Sequence, residues 1–274
     1  MVMVHRSRSD DLGQARTGLG LRSVETMTPP STENPAVHVQ QLTKRYGHRT
    51  VVDGISLSIA RGETLGILGT NGAGKTTTVE MIAGLRRPDS GSVSVLGLDV
   101  HRDRGALRQV LGVQLQDAEL HEALTVSELL ALYRSFYPSP RPAEELLDLV
   151  ELEDQRATRF GKLSGGQQQR LSVALALVGR PRVVILDELT TGLDPAARRR
   201  MWRTIERLKA DGVTILLVSH AMEEVQRLCD RIVLLDAGRV LAAGTPAEFV
   251  EGAGTTTLDE AFVQLTGHEM EIAE

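Results

Sequence analysis

Gly69-Thr-Asn-Gly-Ala-Gly-Lys-Thr-Thr77 decides the fold. It holds a glycine, four residues, then Gly74-Lys75-Thr76, the spacing of a phosphate-binding loop. Before it runs Thr64-Leu-Gly-Ile-Leu68, an apolar stretch suited to a buried parallel strand. After it, Thr76 to Ala83 can start a helix. Strand, glycine loop and helix are the context this motif needs. Glycines let the backbone approach an anion and turn its N–H groups inward. The helix N-terminus adds partial positive charge. Lys75 supplies a full charge for the β- and γ-phosphates, and Thr76 a hydroxyl for Mg²⁺. An isolated match would read as a glycine-rich turn with an exposed lysine. The flanking strand and helix argue against that.

Composition narrows the class. The chain has 274 residues, 41% of them hydrophobic and only 3% aromatic, so its core is aliphatic. A net charge of −5 argues against general nucleic-acid binding. A single cysteine, Cys229, gives no disulfide framework and reads as a small buried apolar residue. No apolar run reaches membrane-spanning length. Residues 1–36 are polar and aperiodic and read as a disordered leader, with Met27 an alternative start.

The rest of the chain alternates between strand and helix patterns. Val37–Tyr46 and Thr50–Ile59 alternate as strands and predict an antiparallel β layer ahead of the α/β core. Residues 117 to about 180 are helical in pattern, an all-helical insert with a Thr125/Glu128 capping box. Ser164-Gly165-Gly166 opens one of these helices and repeats the physics of the phosphate loop, since two glycines at a helix start leave N–H groups free for an anion. Alone it would read as a capped helix. Val183–Glu188 is an apolar strand closed by two carboxylates, which it delivers to the sheet edge where α/β proteins bind ligands. Val213–Val218 is another buried strand and delivers Ser219-His220. Residues 251–274 form a polar tail with one amphipathic stretch, Leu258–Leu265.

Taken together, these residues resemble the ATP-binding subunit of an ABC transporter, over residues 37 to about 250. Gly69, Thr70, Asn71, Gly72, Ala73, Gly74, Lys75, Thr76 and Thr77 match Walker A. Leu163, Ser164, Gly165, Gly166 and Gln167 match the family signature. Asp187 and Glu188 match Walker B and the catalytic glutamate. Asp194 falls in the D-loop, His220 at the switch histidine, and Tyr46 at the adenine-stacking aromatic. Gln116 falls where the Q-loop glutamine is expected, in preference to Gln114. Leu189 stands where the family usually has proline, with small effects expected on loop rigidity.

The resemblance implies a P-loop NTPase core with a mixed, largely parallel sheet, an antiparallel β subdomain and a helical insert. It implies ATP and Mg²⁺ as cofactors, with Thr76, Gln116 and Asp187 around the metal. Lys75, Gln116, Glu188 and His220 are the expected catalytic set. It also implies a homodimeric second ATPase subunit, and separate transmembrane permease subunits at the cytoplasmic face of the membrane. Leu111–Gln116 and Leu258–Gly267 resemble ABC-2 type drug and antibiotic exporters, the daunorubicin-resistance type among them, so export of a drug, antibiotic or lipid-like molecule is expected. A soluble ABC-type switch on ribosomes or DNA usually carries two cassettes or a long coiled coil; this chain has one cassette. A P-loop metabolic kinase would leave Leu163–Gln167 and His220 unexplained.

Overall fold

The computed structural model describes residues 34–115 and 120–267. β1 (Val37–Tyr46), β2 (Arg49–Ile59), β4 (Ser90–Val95) and β5 (Leu98–Asp99) form an antiparallel sheet in the order β2-β1-β4-β5. β3 (Thr64–Gly69), β6 (Leu111–Gln114), β7 (Val183–Asp187), β8 (Thr214–Val218), β9 (Arg231–Asp236) and β10 (Arg239–Gly244) form a second sheet, ordered β10-β9-β3-β8-β7-β6. All neighbours in the second sheet are parallel except the β9/β10 hairpin. The α/β core and the separate β layer are therefore as expected.

The strand residues sort by parity, because successive side chains point to opposite faces. Val183 and Ile185 of β7 join one core with Leu216 and Val218 of β8 and with Leu42, Ile55 and Ile59 of the antiparallel sheet. Val184 and Leu186, with Ile215 and Leu217, join a second core on the other face. Both faces are covered, which is why these strands read as unbroken apolar runs.

The helices follow local signals. α1 (Lys75–Ile82) buries Val79, Met81 and Ile82. α2 (Arg104–Val110) buries only Leu107, so no periodicity announced it. α3 (Val126–Arg134) starts at Thr125 with the expected capping box: Glu128 N–H donates to Thr125 Oγ1 at 3.2 Å and Thr125 N–H to Glu128 Oε2 at 2.8 Å. α4 (Ala143–Val150) and α5 (Gly165–Ala176) complete the described helical insert. α6 (Pro195–Ala210) and α7 (Met222–Leu228) cover the sheet. α8 (Pro246–Ala253) had clear signals: Thr245 as cap, Pro246 at the first turn, Glu248, and Gly254 ending it at φ +66°. α9 (Leu258–Thr266) confirms the amphipathic stretch and buries Leu258, Ala261 and Phe262, with Leu258 and Phe262 in the main core.

The β layer rests directly on the phosphate loop. Gly74 adopts φ +92°, and a Cβ there would stand 2.5 Å from the Val51 carbonyl oxygen of β2. Gly238, in the β9/β10 turn, donates to Ala73 O at 3.1 Å and accepts from Asp53 N–H at 2.8 Å. Gly74→Ala meets both a positive φ and a backbone collision, and is expected to lower stability by about 1–3 kcal/mol. Urea unfolding of the nucleotide-free protein checks this; an unmoved midpoint would show that β2 does not constrain the loop.

Candidate active site

In a parallel sheet all C-terminal strand ends face one edge. β3 ends in the phosphate loop, β6 in Gln114, β7 in Asp187 and Glu188, and β8 in Ser219-His220. The topology therefore gathers residues scattered over 150 positions of sequence.

Gly69 begins the loop, and a side chain there would collide with the Leu235 carbonyl. Ala73 N–H donates to Thr70 O at 3.1 Å, and Thr78 Oγ1 to Gly74 O at 2.8 Å, closing the loop onto α1. Asn71, Gly72 and Thr76 are exposed along its outer side, with Thr77 half-buried. The Lys75 side chain is buried, and its Nζ donates to Gly69 O at 2.8 Å and Thr70 O at 3.1 Å. Burial pushes its pKa below the usual lysine value; Glu188 and then Asp187 oppose that shift by charge. The ammonium thus curls over the loop it is expected to serve, close to both carboxylates.

Asp187 is buried at the end of β7. Glu188 leaves the strand at φ +50° while its N–H donates to Val218 O at 2.9 Å. The left-handed turn separates the two carboxylates: Glu188 Oε1 lies 2.6 Å from His220 Nε2. The expected catalytic glutamate and switch histidine are in direct contact. Leu189 is completely buried in the main core, so the leucine in place of proline anchors this loop as well as freeing its φ. Gln116 lies outside the described residues.

Gln114 takes a part that the preference for Gln116 passed over. Its side chain is buried, accepts from Asp187 N–H at 3.2 Å, and donates to Leu115 O at 2.9 Å. It pins the end of β6 to the Walker B acid. Glu224 of α7 was missed because nothing in its spacing marks it. It is fully buried and accepts from Trp202 Nε1–H at 3.1 Å. Burial pushes its pKa up, and Ser219, Trp202, Thr190 and Arg198 offset part of that. It sits beneath the loops that carry Glu188 and His220.

Tyr46 ends β1 and is 43% exposed, with the Arg86 guanidinium 5.5 Å from its ring centre. Enough ring is free for a base to stack on. Ser164 caps α5 through a box with Gln167: Ser164 N–H donates to Gln167 Oε1 at 2.9 Å. A Cβ on Gly165 would meet nothing within 4 Å, whereas one on Gly166 would meet Ala197 at 3.1 Å. Asp194 caps α6, accepting from Ala196 N–H at 2.8 Å and Ala197 N–H at 2.9 Å, and those bonds hold its carboxyl below the usual range. Ser164–Gln167 share a groove of about 280 Å³ with Gly192, Leu193, Asp194 and Arg200. No phosphate-loop residue lines it. The two glycine-rich helix starts are therefore separate sites within one chain.

A family model described as ABC transporter matches residues 52–191. The Nod factor export ATP-binding protein I of Rhizobium meliloti is 43% identical over 234 residues, covering 84% of this chain and 70% of that protein. Its counterpart in Burkholderia orbicola (strain AU 1054) is 44% identical over 220 residues, covering 78% and 72%. Among solved structures, an ATP-binding subunit of an ABC transporter superposes with TM-score 0.76 at 31% identity, covering 84% of this chain and 99% of that one. A dimeric ATP-binding cassette in a post-hydrolysis state with ADP and Pi gives 0.69 at 27% identity, covering 76% and 98%.

Gln114→Ala leaves the buried Asp187 N–H without its acceptor, which costs about 1–3 kcal/mol. We expect a lower unfolding midpoint and a fall in kcat larger than any rise in KM. A variant as stable and as active as the parent would remove Gln114 from the site.

Proposed function

The chain belongs to the ABC transporter family, and from that membership we propose that it is the ATP-hydrolysing subunit of an exporter, driving a small molecule through separate membrane subunits. One observation carries the reading: a lysine-bearing phosphate loop and a second glycine-rich helix start occupy one chain without lining one groove. Two copies placed head to tail would close each nucleotide between the loop of one and Ser164, Gly165, Gly166, Gln167 and Asp194 of the other. The bare face of Gly165 leaves room for that approach.

In the proposed chemistry, water attacks the γ-phosphate, and positioning and electrostatics carry the rate. Lys75 and the N–H groups of residues 69–77 hold the β- and γ-phosphates. Tyr46 stacks on the adenine. Glu188 polarises the attacking water. His220 meets the γ-phosphate, which requires its contact with Glu188 to be shared with or yielded to the nucleotide. The exposed Thr76 hydroxyl and the Asp187 carboxylate are hard oxygen donors and fit Mg²⁺, with Gln116 as a further expected ligand. Bound there, Mg²⁺ would supply positive charge that offsets the charge developing on the phosphate oxygens.

Among the described residues no helix is long and apolar enough to cross a membrane. α3 in the helical insert exposes Leu132, and Phe136 just beyond it is also exposed. An apolar surface of this kind supports docking on a membrane subunit, and with it a peripheral place at the cytoplasmic face. The Nod factor export relatives favour transport over a ribosome- or DNA-bound switch. The membrane partner would select the cargo, with drug, antibiotic or lipid-like molecules the class we propose.

Glu188→Gln is expected to keep ATP binding and lose turnover by about 10²–10³-fold, the scale of removing one catalytic electrostatic contact. The same variant should sediment as a dimer in MgATP and as a monomer without it. Full turnover would refute the role of Glu188, and a monomer at saturating nucleotide would refute the shared site. Lys75→Ala is expected to weaken ATP binding by about tenfold or more, the loss of a charge-assisted phosphate contact.

A further inference from the structure

Arg49 stands at the phosphate loop without a hydrogen-bond or ion-pair partner among the described residues. It opens β2, paired with Tyr46 across the tight turn Gly47-His48, where Gly47 adopts φ +59°. Two residues on, Val51 approaches Gly74 so closely that no side chain fits between them. That backbone contact fixes the start of β2 relative to the loop. The result is that Arg49 Nη2 lies 3.6 Å from where a Cβ on Gly72 would stand.

Three neighbouring cations are engaged. Lys44 Nζ is 2.8 Å from Asp89, Arg86 pairs with Glu80, and Arg239 Nε donates to Asp53 at 2.8 Å. Arg49 is exposed and makes no hydrogen bond or ion pair among the described residues. The loop's own charge balance leaves room for it. Lys75 is one cation facing two carboxylates, Asp187 and Glu188. A polyphosphate entering there needs more positive charge than Lys75 supplies. A guanidinium suits that need, because its planar fork can grip two phosphate oxygens at once.

The geometry points to Arg49 as a further phosphate-binding residue, reaching the nucleotide's polyphosphate across Gly72 from the antiparallel layer. This rests on residues 69–77 being the nucleotide loop. One two-residue turn would then carry both the base-stacking ring and a phosphate-gripping cation, so the β layer would clamp the nucleotide at two points.

Nucleotide affinity of the full chain, measured by calorimetry, tests the assignment. Arg49→Ala should weaken MgATP and MgGTP by the same factor, about tenfold for a lost charge-assisted contact, and flatten the salt dependence of binding. Arg49→Lys should recover part of the loss, as a point charge without the fork. The unfolding midpoint without nucleotide should stay unchanged, since Arg49 makes no hydrogen bond or ion pair among the described residues. Lys75→Ala serves as the control for the loop itself. If Lys75→Ala is weakened and Arg49→Ala binds like the parent, Arg49 is overturned and the loop stands. If neither is weakened, the loop reading falls too. A loss confined to ATP, with GTP unaffected, would assign Arg49 to the base and overturn the phosphate contact.

Discussion

A buried ammonium organises this molecule. Charge taken out of water has to be compensated locally. Lys75 meets that demand with two loop carbonyls and the nearby charges of Glu188 and Asp187. These partners come from two strand ends, those of β3 and β7, so the ammonium is held only when β3 and β7 lie in register on either side of β8. The arrangement also stores the binding capacity of the site. One ammonium faces two carboxylates, which leaves surplus negative charge at the loop.

Two layers converge on that point by different means. The parallel sheet contributes acids and histidine through strand ends, a consequence of topology. The antiparallel sheet brings the Tyr46–Arg49 turn beside Gly72, a consequence of close backbone packing at Gly74 and Gly238. The helical insert holds the second glycine-rich start on α5, where Arg170 ties the helix to its neighbour through the carbonyls of Val150 and Glu151 at 2.7 and 2.9 Å. Burial lowers the Arg170 pKa, and those two carbonyls accept from its Nη1. The signature is thus braced against α4, and a shift of the insert would carry Ser164–Gln167 as a unit.

Much of this was legible in the residues. Apolar runs without alternation gave β3, β7 and β8, because both sheet faces are covered. Glycine and lysine spacing gave the phosphate loop, and capping chemistry gave the starts of α3 and α5. What stayed hidden depends on tertiary contact. Gln114 and Gln116 look alike in sequence; only the parallel register of β6 and β7 sets Gln114 Oε1 against Asp187 N–H. α2 carries one buried leucine, and Asp103 at its start makes no side-chain capping bond, so its local signal was weak. Glu224 looked like any acid on an amphipathic helix until Trp202 closed over it. α8 is different: Thr245, Pro246, Glu248 and Gly254 are plain end signals, yet the expected polar tail from residue 251 cut across it.

The segment after β7 shows how one substitution can change which force holds a loop. Proline at position 189 would stiffen the chain by fixing φ. Leucine gives up that covalent restraint and inserts a side chain into the main core, where it is completely buried. Full burial of a leucine side chain is worth about 1.5–3 kcal/mol, enough to offset a restraint whose benefit is about 0.4–1 kcal/mol. The anchor lies one residue from Glu188, whose left-handed backbone is already committed by its bond to Val218 O. Glu188 is therefore held from both sides, by a hydrogen bond to β8 before it and by hydrophobic burial after it. Its carboxylate reaches His220 because its backbone has little freedom left.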